Sequence, residues 1–460
     1  MLKQFIGDKA FYKRVLIVLL PIVIQNFITN FVSMLDNVMV GAIGTLPMSG
    51  VTITNQLMFV FAVCIFGASS GAGIFTAQFY GSRNHEGIRH TFRFKVMVCL
   101  LVSVLAYGIC TLWGEDLISM YLTGEGDPAD AEKTLEYGME YMQALFIGFL
   151  PFALANCYST TLRECGQTVV PMVGGICAVL TNLVLNYVLI FGHFGAPAMG
   201  VRGAAVATNV SRFVELGIVA GWAHTHGKIH PFIRGVYRSF RIPRKLLGDI
   251  CSKGLLLLLN EVLWAGGIAL MNQSYSTCGL DVVPAMNIAS TIRNLSSVVY
   301  MAMGSAVGIL MGQLLGSGAN AKVVRDENRK LQFTTIVAGL ACGILMALLA
   351  NVFPLAYNTE DSVRHLAAQL ILICALVMPF NAYALSAYFT LRSGGKVFVT
   401  FLFDCGCVWV LMVPLAFVLS RFTDISIVPL YMICTGAEAI KCFLGAILLK
   451  KVKWVTNLAR

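Results

Sequence analysis

Apolar residues in this chain come in long unbroken runs separated by short polar segments. A strand with one wet face alternates with period two, and these runs do not alternate. Crossing a bilayer takes roughly 20 apolar residues in a helix, because only helices and closed barrels satisfy their own backbone in lipid. Twelve runs meet that length, at about 13–40, 47–77, 92–113, 136–162, 168–192, 199–226, 250–277, 283–315, 330–354, 363–391, 395–420 and 425–449. The first starts near Val15 and outlasts the apolar core of a secretion signal, so it reads as a true span. The pattern predicts an all-α integral membrane protein with twelve transmembrane helices.

The runs repeat. "GIFTAQFYGS" (Gly73–Ser82) matches "GILMGQLLGS" (Gly308–Ser317) at an offset of 235, and "TLRECG" (Thr161–Gly166) matches "TLRSGG" (Thr390–Gly395) at 229. Each of the latter follows a Pro-Phe pair, Pro151–Phe152 and Pro379–Phe380. The matches fall on Gln, Gly, Thr and Arg, which chance similarity of apolar runs does not explain. Six spans followed by six in the same order make a parallel duplication, with the repeat axis along the membrane normal. The expected organisation is an N-terminal six-helix lobe over 1–227, a basic linker over 228–249 and a C-terminal six-helix lobe over 250–460.

Polar residues inside the spans are not scattered. In "NFITNFVSMLDNVMVG", Asn26, Asn30, Ser33 and Asn37 fall on one helical line, and Gln25, Thr29 and Asp36 on the adjacent one. Such a wedge is costly against lipid and must face protein or a water-filled cavity. Pro21 lacks an N–H and is expected to bend this helix. The second span carries Thr52, Asn55 and Gln56; the fifth carries Asn182 and Asn186, four apart; the sixth carries Thr208. In the seventh, Asn260 and Glu261 are followed by Asn272, with Trp264 between, and the eighth carries Asn287, Ser290, Thr291 and Asn294. Isolated Ser and Thr serve as interhelical glue. Lone carboxylates inside the membrane need a reason, which makes Asp36 and Glu261 functional candidates. Arg212 with Glu215, and Glu438 with Lys441, are spaced to neutralise each other within one helix. Arg293 and Asp404 have no such partner, and Asp404 is a secondary candidate.

Composition agrees with the pattern. Of 460 residues, 57% are hydrophobic and only 12% charged, half of what a soluble surface needs. Lys and Arg collect in alternate loops, near Lys9–Arg14, Arg83–Lys95, Lys228–Lys245, Lys322–Lys330 and Lys450–Lys453, while the longest loop of the opposite side is acidic. By the positive-inside bias both termini face the cytoplasm, which also accounts for the net charge of +10 without nucleic acid. Most of the 14 Cys lie inside apolar runs and read as small buried hydrophobes. "GASSG" (Gly67–Gly71) fits a nucleophile-elbow pattern, but the elbow needs a strand–turn–helix and this stretch reads as helix. Neither a zinc-protease motif nor a phosphate loop is found, so no enzyme and no cofactor is expected, and any work must draw on an ion gradient.

Twelve spans in tandem halves, "PIVIQN…MLDNVMVG", "GIFTAQFYGS", "TLRECGQT" and "NLVLNYVLIFG" resemble the multidrug and toxic compound extrusion family over essentially the whole chain. The resemblance implies a secondary antiporter of a bacterial inner membrane, a monomer in lipid, built as two six-helix bundles in a V. It would expel organic cations, drugs or metabolites, in exchange for H⁺ or Na⁺. It implies cation coupling at Asp36, Asn182 and Thr208, with Asn186 where many members carry Asp. It implies a second candidate site at Glu261 and Asn381, to which Asn272 is added. Gln25, Asn26, Asn30, Asn37, Gln56, Asn260, Trp264 and Asn287 are candidates to line the substrate cleft. Each site keeps one carboxylate and has an amide where the family has its second. A carboxylate without a second negative charge suits a proton better than Na⁺, so the reading leans to H⁺. A flippase for a lipid-linked oligosaccharide is the alternative.

Overall fold

A computed structural model describes residues 5–122, 127–279, 281–423 and 425–459. It is helical throughout the described elements: α1 Lys9–Gly41, α2 Thr45–Gly81, α3 His85–Ser119, α4 Pro128–Glu164, α5 Val169–Phe191, α6 Gly200–Thr225, α7 Arg244–Ser276, α8 Val282–Gly316, α9 Ala321–Leu349 and α10 Asp361–Ser393. Two further helical segments, α11 Val397–Phe422 and α12 Ile427–Lys451, complete the set. Among the described residues eleven of these are long and apolar enough to cross a membrane. The twelfth, α6, has the length at 26 residues, but it carries Arg202, Arg212 and Glu215.

Local chemistry sets the helix ends. Asp127 caps α4 through the Ala129 N–H at 3.0 Å, with Pro128 next to it where a missing N–H costs nothing. Asn320 caps α9 through Lys322 N at 3.0 Å. Gly192 ends α5 at φ 76°, a left-handed conformation that suits glycine. Pro21, Pro151 and Pro379 lie inside α1, α4 and α10 without interrupting them. α11 is irregular: π-helical turns at Leu402–Gly406 and Val408–Met412 separate two α-helical ends. Such turns carry an extra residue per turn and re-aim the side chains on them.

The chain divides into two compact units. The N-terminal unit holds Ile24–Thr76 and His85–Gly254; the C-terminal unit holds the described residues through Val23, Ala77–Asn84 and those from Leu255 onward. The boundaries therefore fall inside α1, α2 and α7. The basic segment after α6 is part of the N-terminal unit's packing. Phe232, Ile233 and Val236 are buried there, and Arg89 and Arg93 of α3 donate to the carbonyls of Phe232 and Val236 at 3.1 and 2.7 Å.

The C-terminal unit centres on Tyr275, Ile288, Ile371, Met378, Met412 and Leu430. A second cluster joins Phe11 and Val15 of α1 to Met303, Met311, Leu391 and Trp454. In this unit the last turns of α2 and α8 meet at repeat-related positions. A Cβ on Gly81 would fall on the Gln313 carbonyl, and one on Gly316 would fall on the Gln78 carbonyl. Gln78 is fully buried and donates to the Ser393 carbonyl at 2.7 Å.

In the N-terminal unit Lys95 of α3 is fully buried, its Nζ 2.6 Å from Glu164 Oε2 and 3.2 Å from the hydroxyls of Thr160 and Thr161 on α4. Removing one partner of a buried ion pair takes from the other charge the compensation it has in low dielectric. Lys95→Met is therefore expected to lower stability by about 3–5 kcal/mol, read as a fall in melting midpoint of the purified protein. A change no larger than that of an exposed lysine such as Lys322 would sink the prediction.

Candidate functional site

The N-terminal unit gathers the predicted polar residues of three helices around one carboxylate. Asn186 of α5 donates Nδ2–H to Asp36 Oδ1 of α1 at 2.9 Å. One turn back, Asn182 meets both Asp36 and Thr208 of α6. An amide's two ends differ little in shape, so its partners fix the orientation. With the Asn182 nitrogen toward the carboxylate, it donates to Oδ2 at 2.8 Å and to Oδ1 at 3.0 Å, and its oxygen accepts from the Thr208 hydroxyl and N–H, each at 3.3 Å. The opposite orientation would set amide oxygen against carboxylate oxygen.

A fourth helix, α4, brings Tyr141. Its ring is buried and its hydroxyl reaches Thr208 and, at 3.4 Å, Asn55 Oδ1 of α2. Arg212 of α6 is within electrostatic range of Asp36, but its ion pair is with Glu215 at 3.3 Å, as the spacing predicts. Among the described residues Asp36 forms no ion pair, so its charge is held by neutral N–H donors alone. Asn186 Oδ1 is buried beside it without a hydrogen-bond partner.

The C-terminal unit is organised differently. Lys441 of α12 lies in the field of Glu438, but its direct ion pair is not with it. Its Nζ crosses to Asp404 Oδ1 on α11 at 2.9 Å, and Asn260 of α7 donates to Asp404 Oδ2 at 3.1 Å. Asp404 sits in the π-helical turn Leu402–Gly406. Glu438 faces Asn381, Arg293 and Lys441. Glu261 lies in the field of Arg392 and of Asp404, so it is not the lone carboxylate its sequence neighbourhood suggests. Asn381 meets Glu438, not Glu261, and Asn272 is exposed.

Of the remaining candidates, Asn30, Asn37, Gln56, Trp264 and Asn287 are exposed and Asn26 is half-buried. Gln25 and Asn260 are buried and engaged inside their units, Gln25 accepting from Arg163 Nη2 at 2.5 Å. Tyr141 carries no signal in the sequence, because the polar pattern of α4 is spread around the helix. The two TLR motifs do carry one: Arg163 and Arg392 are repeat-related, and each faces a polar residue midway along α1 or α7, at Gln25 and Glu261.

Among the described residues, twelve helical segments in two tandem sets, with carboxylates and amides gathered inside apolar helices, define a polytopic membrane protein. The MatE family profile matches residues 21–188 and 259–418. The chain belongs to the MatE family, the MATE transporters. Among its relatives, the probable multidrug resistance protein NorM of Thermotoga maritima is 24% identical over 417 residues, covering 90% of this chain and 87% of the relative. The probable multidrug resistance protein YoeA of Bacillus subtilis is 24% identical over 434 residues, covering 93% and 90%. The fold matches an outward-facing multidrug resistance MATE transporter of the MOP superfamily, with a TM-score of 0.84 at 18% identity over 97% of this chain and 96% of that one. It also matches the Vibrio cholerae MATE transporter VcmN, with a TM-score of 0.86 at 15% identity over 98% of both chains.

Proposed function

We propose that this protein exports cationic and aromatic small molecules across a bacterial inner membrane in exchange for H⁺, with Asp36 as the coupling group. The carrying observation is that Asp36 is set among three helices and bonded only to neutral donors. A charge so placed accepts a cation reversibly, which an ion-paired carboxylate does not. Asn182, Asn186 and Thr208 orient the carboxylate. Drug cation and coupling ion compete for its charge, which is the linkage that antiport requires. Taking up H⁺ weakens the amide bonds holding α1 to α5, and Pro21 supplies the place where α1 bends in response. Exposed Asn30, Asn37, Gln56, Trp264 and Asn287 are the positions proposed to meet substrate.

Amide nitrogens, not oxygens, face the carboxylate, and this favours H⁺. A Na⁺ ion wants several oxygen ligands and would require both amides to turn. Asn186 Oδ1, without a hydrogen-bond partner among the described residues, favours Na⁺ instead. Proteoliposomes loaded with an ethidium-type dye separate the two. Efflux is expected under an imposed H⁺ gradient and not under a Na⁺ gradient alone, with Glu261→Gln lowering the rate less than Asp36→Asn. Efflux driven by Na⁺ alone would reassign the ion. No dye movement under either gradient, with the protein verified in the membrane, would remove drug export and leave lipid-linked cargo to be tested.

A further inference from the structure

The duplication gives each position in the N-terminal unit a counterpart in the C-terminal unit, and the coupling site has no copy there. At the offset of 235, Asp36 corresponds to Met271; at 229, Asn182 and Asn186 correspond to Leu411 and Leu415. Met271 is buried in the C-terminal core, with Leu411 and Leu415 packed against it. The C-terminal carboxylates lie elsewhere, at Glu261, Asp404 and Glu438.

Asp404 is the one whose direct contacts are complete. An ammonium stands 2.9 Å from one oxygen and an amide donor 3.1 Å from the other. The Lys441 side chain is 9% exposed and the Asp404 side chain 23%. Asn260 is itself held, its carbonyl and side-chain oxygens each 3.2 Å from Cys405 Sγ. Arg392 lies in the field of Glu261 and Arg293 in that of Glu438, while Lys441 is, among the described residues, the cation bonded directly to Asp404. Intramembrane charges persist where they are paired in this way.

We propose that Lys441 is a built-in cation: its ammonium occupies on Asp404 the position an exchangeable monovalent ion would take, and so confines ion coupling to the N-terminal unit. The inference rests on the coupling reading of Asp36. Lys441 acts as a specificity-determining residue. A tethered ammonium neutralises Asp404 permanently and cannot leave with the ion gradient. Removing it leaves Asp404 as a hard oxygen donor with an unmet charge, which suits Na⁺.

The test is Na⁺-dependent melting of the purified full-length protein, compared with choline at equal ionic strength, in an Asp36→Asn background. With Lys441 present, Na⁺ is expected to leave the midpoint unchanged. Lys441→Met is expected to gain a saturable rise of about 2–4 °C, since a ligand that binds only the folded state raises its melting point. Lys441→Arg, which keeps the charge, and the double variant Lys441→Met with Asp404→Asn, which removes both charges, are expected to show none. The proposal is overturned by a Na⁺ response with Lys441 in place, by none in Lys441→Met, or by an equal response in the double variant. It is also overturned if Lys441→Met fails to fold at any Na⁺ concentration while the double variant folds. Failure of the coupling reading shows elsewhere, as gradient-driven efflux surviving Asp36→Asn.

Discussion

Replacing Asp36 by Asn is expected to abolish ion-driven efflux while leaving the protein folded. The substitution keeps the shape of the side chain, and its amide oxygen can still accept from Asn186 Nδ2 and Asn182, the donors now at 2.8–3.0 Å. It removes the negative charge for which drug and proton compete. Coupling free energies of this kind amount to about 5–150-fold in affinity, so an H⁺ gradient should no longer accelerate dye efflux by more than a few-fold over empty vesicles. Asp36→Glu keeps the charge on a longer arm and should retain partial activity. Asn186→Leu tests the surrounding donors. It removes one N–H from the carboxylate and leaves the charge, so it should change the proton concentration for half-maximal efflux more than the maximal rate. Counterflow of dye at equal gradients on both sides provides the control: Asp36→Asn that still exchanges dye but ignores the gradient has lost coupling and not folding. Full gradient-driven efflux in Asp36→Asn would remove this carboxylate from the mechanism.

The parts of this arrangement legible in the sequence are those that depend on one helix at a time. The period of apolar runs locates the twelve segments, and a spacing of four sets Asn182 and Asn186 on one face, where the structure brings both to Asp36. The i, i+3 rule correctly pairs Arg212 with Glu215. For Glu438 and Lys441 the rule holds only electrostatically: each lies in the other's field, but the direct ion pair of Lys441 is with a cross-helix partner, Asp404. Asp404 lies in one of the π-helical turns of α11, which no periodicity of side chains announces. Glu261 reads as solitary for a related reason: its neighbours Arg392 and Asp404 lie more than a hundred residues away in the chain. Charge type and helical face are local properties, and choice of partner across helices is a property of packing.

The strongest structural prediction also comes from the repeat. Gly81→Ala and Gly316→Ala should each destabilise the C-terminal unit, although Ala is the better helix former. Each added methyl would fall on a backbone carbonyl, Gln313 for Gly81 and Gln78 for Gly316, and a backbone atom cannot rotate aside. Gly312 adds to the crowding, since its Cβ would sit 2.7 Å from that of Ala77. These are counterparts at one offset, so a single close approach of α2 and α8 is built twice. Overpacking costs about 1–3 kcal/mol and more where nothing yields, against a helix-propensity gain of about 1 kcal/mol; the net sign is destabilising. Gly217→Ala and Gly221→Ala in α6 are the internal controls, for among the described residues nothing beyond the local helix backbone and chain neighbours lies within 4 Å of either added methyl. They should raise the melting midpoint or leave it unchanged. The double variant Gly81→Ala with Gly316→Ala should cost less than the sum of the two, because the first substitution already separates the helices. Additive effects, or Gly81→Ala behaving like Gly217→Ala, would mean that α2 and α8 do not meet at these glycines.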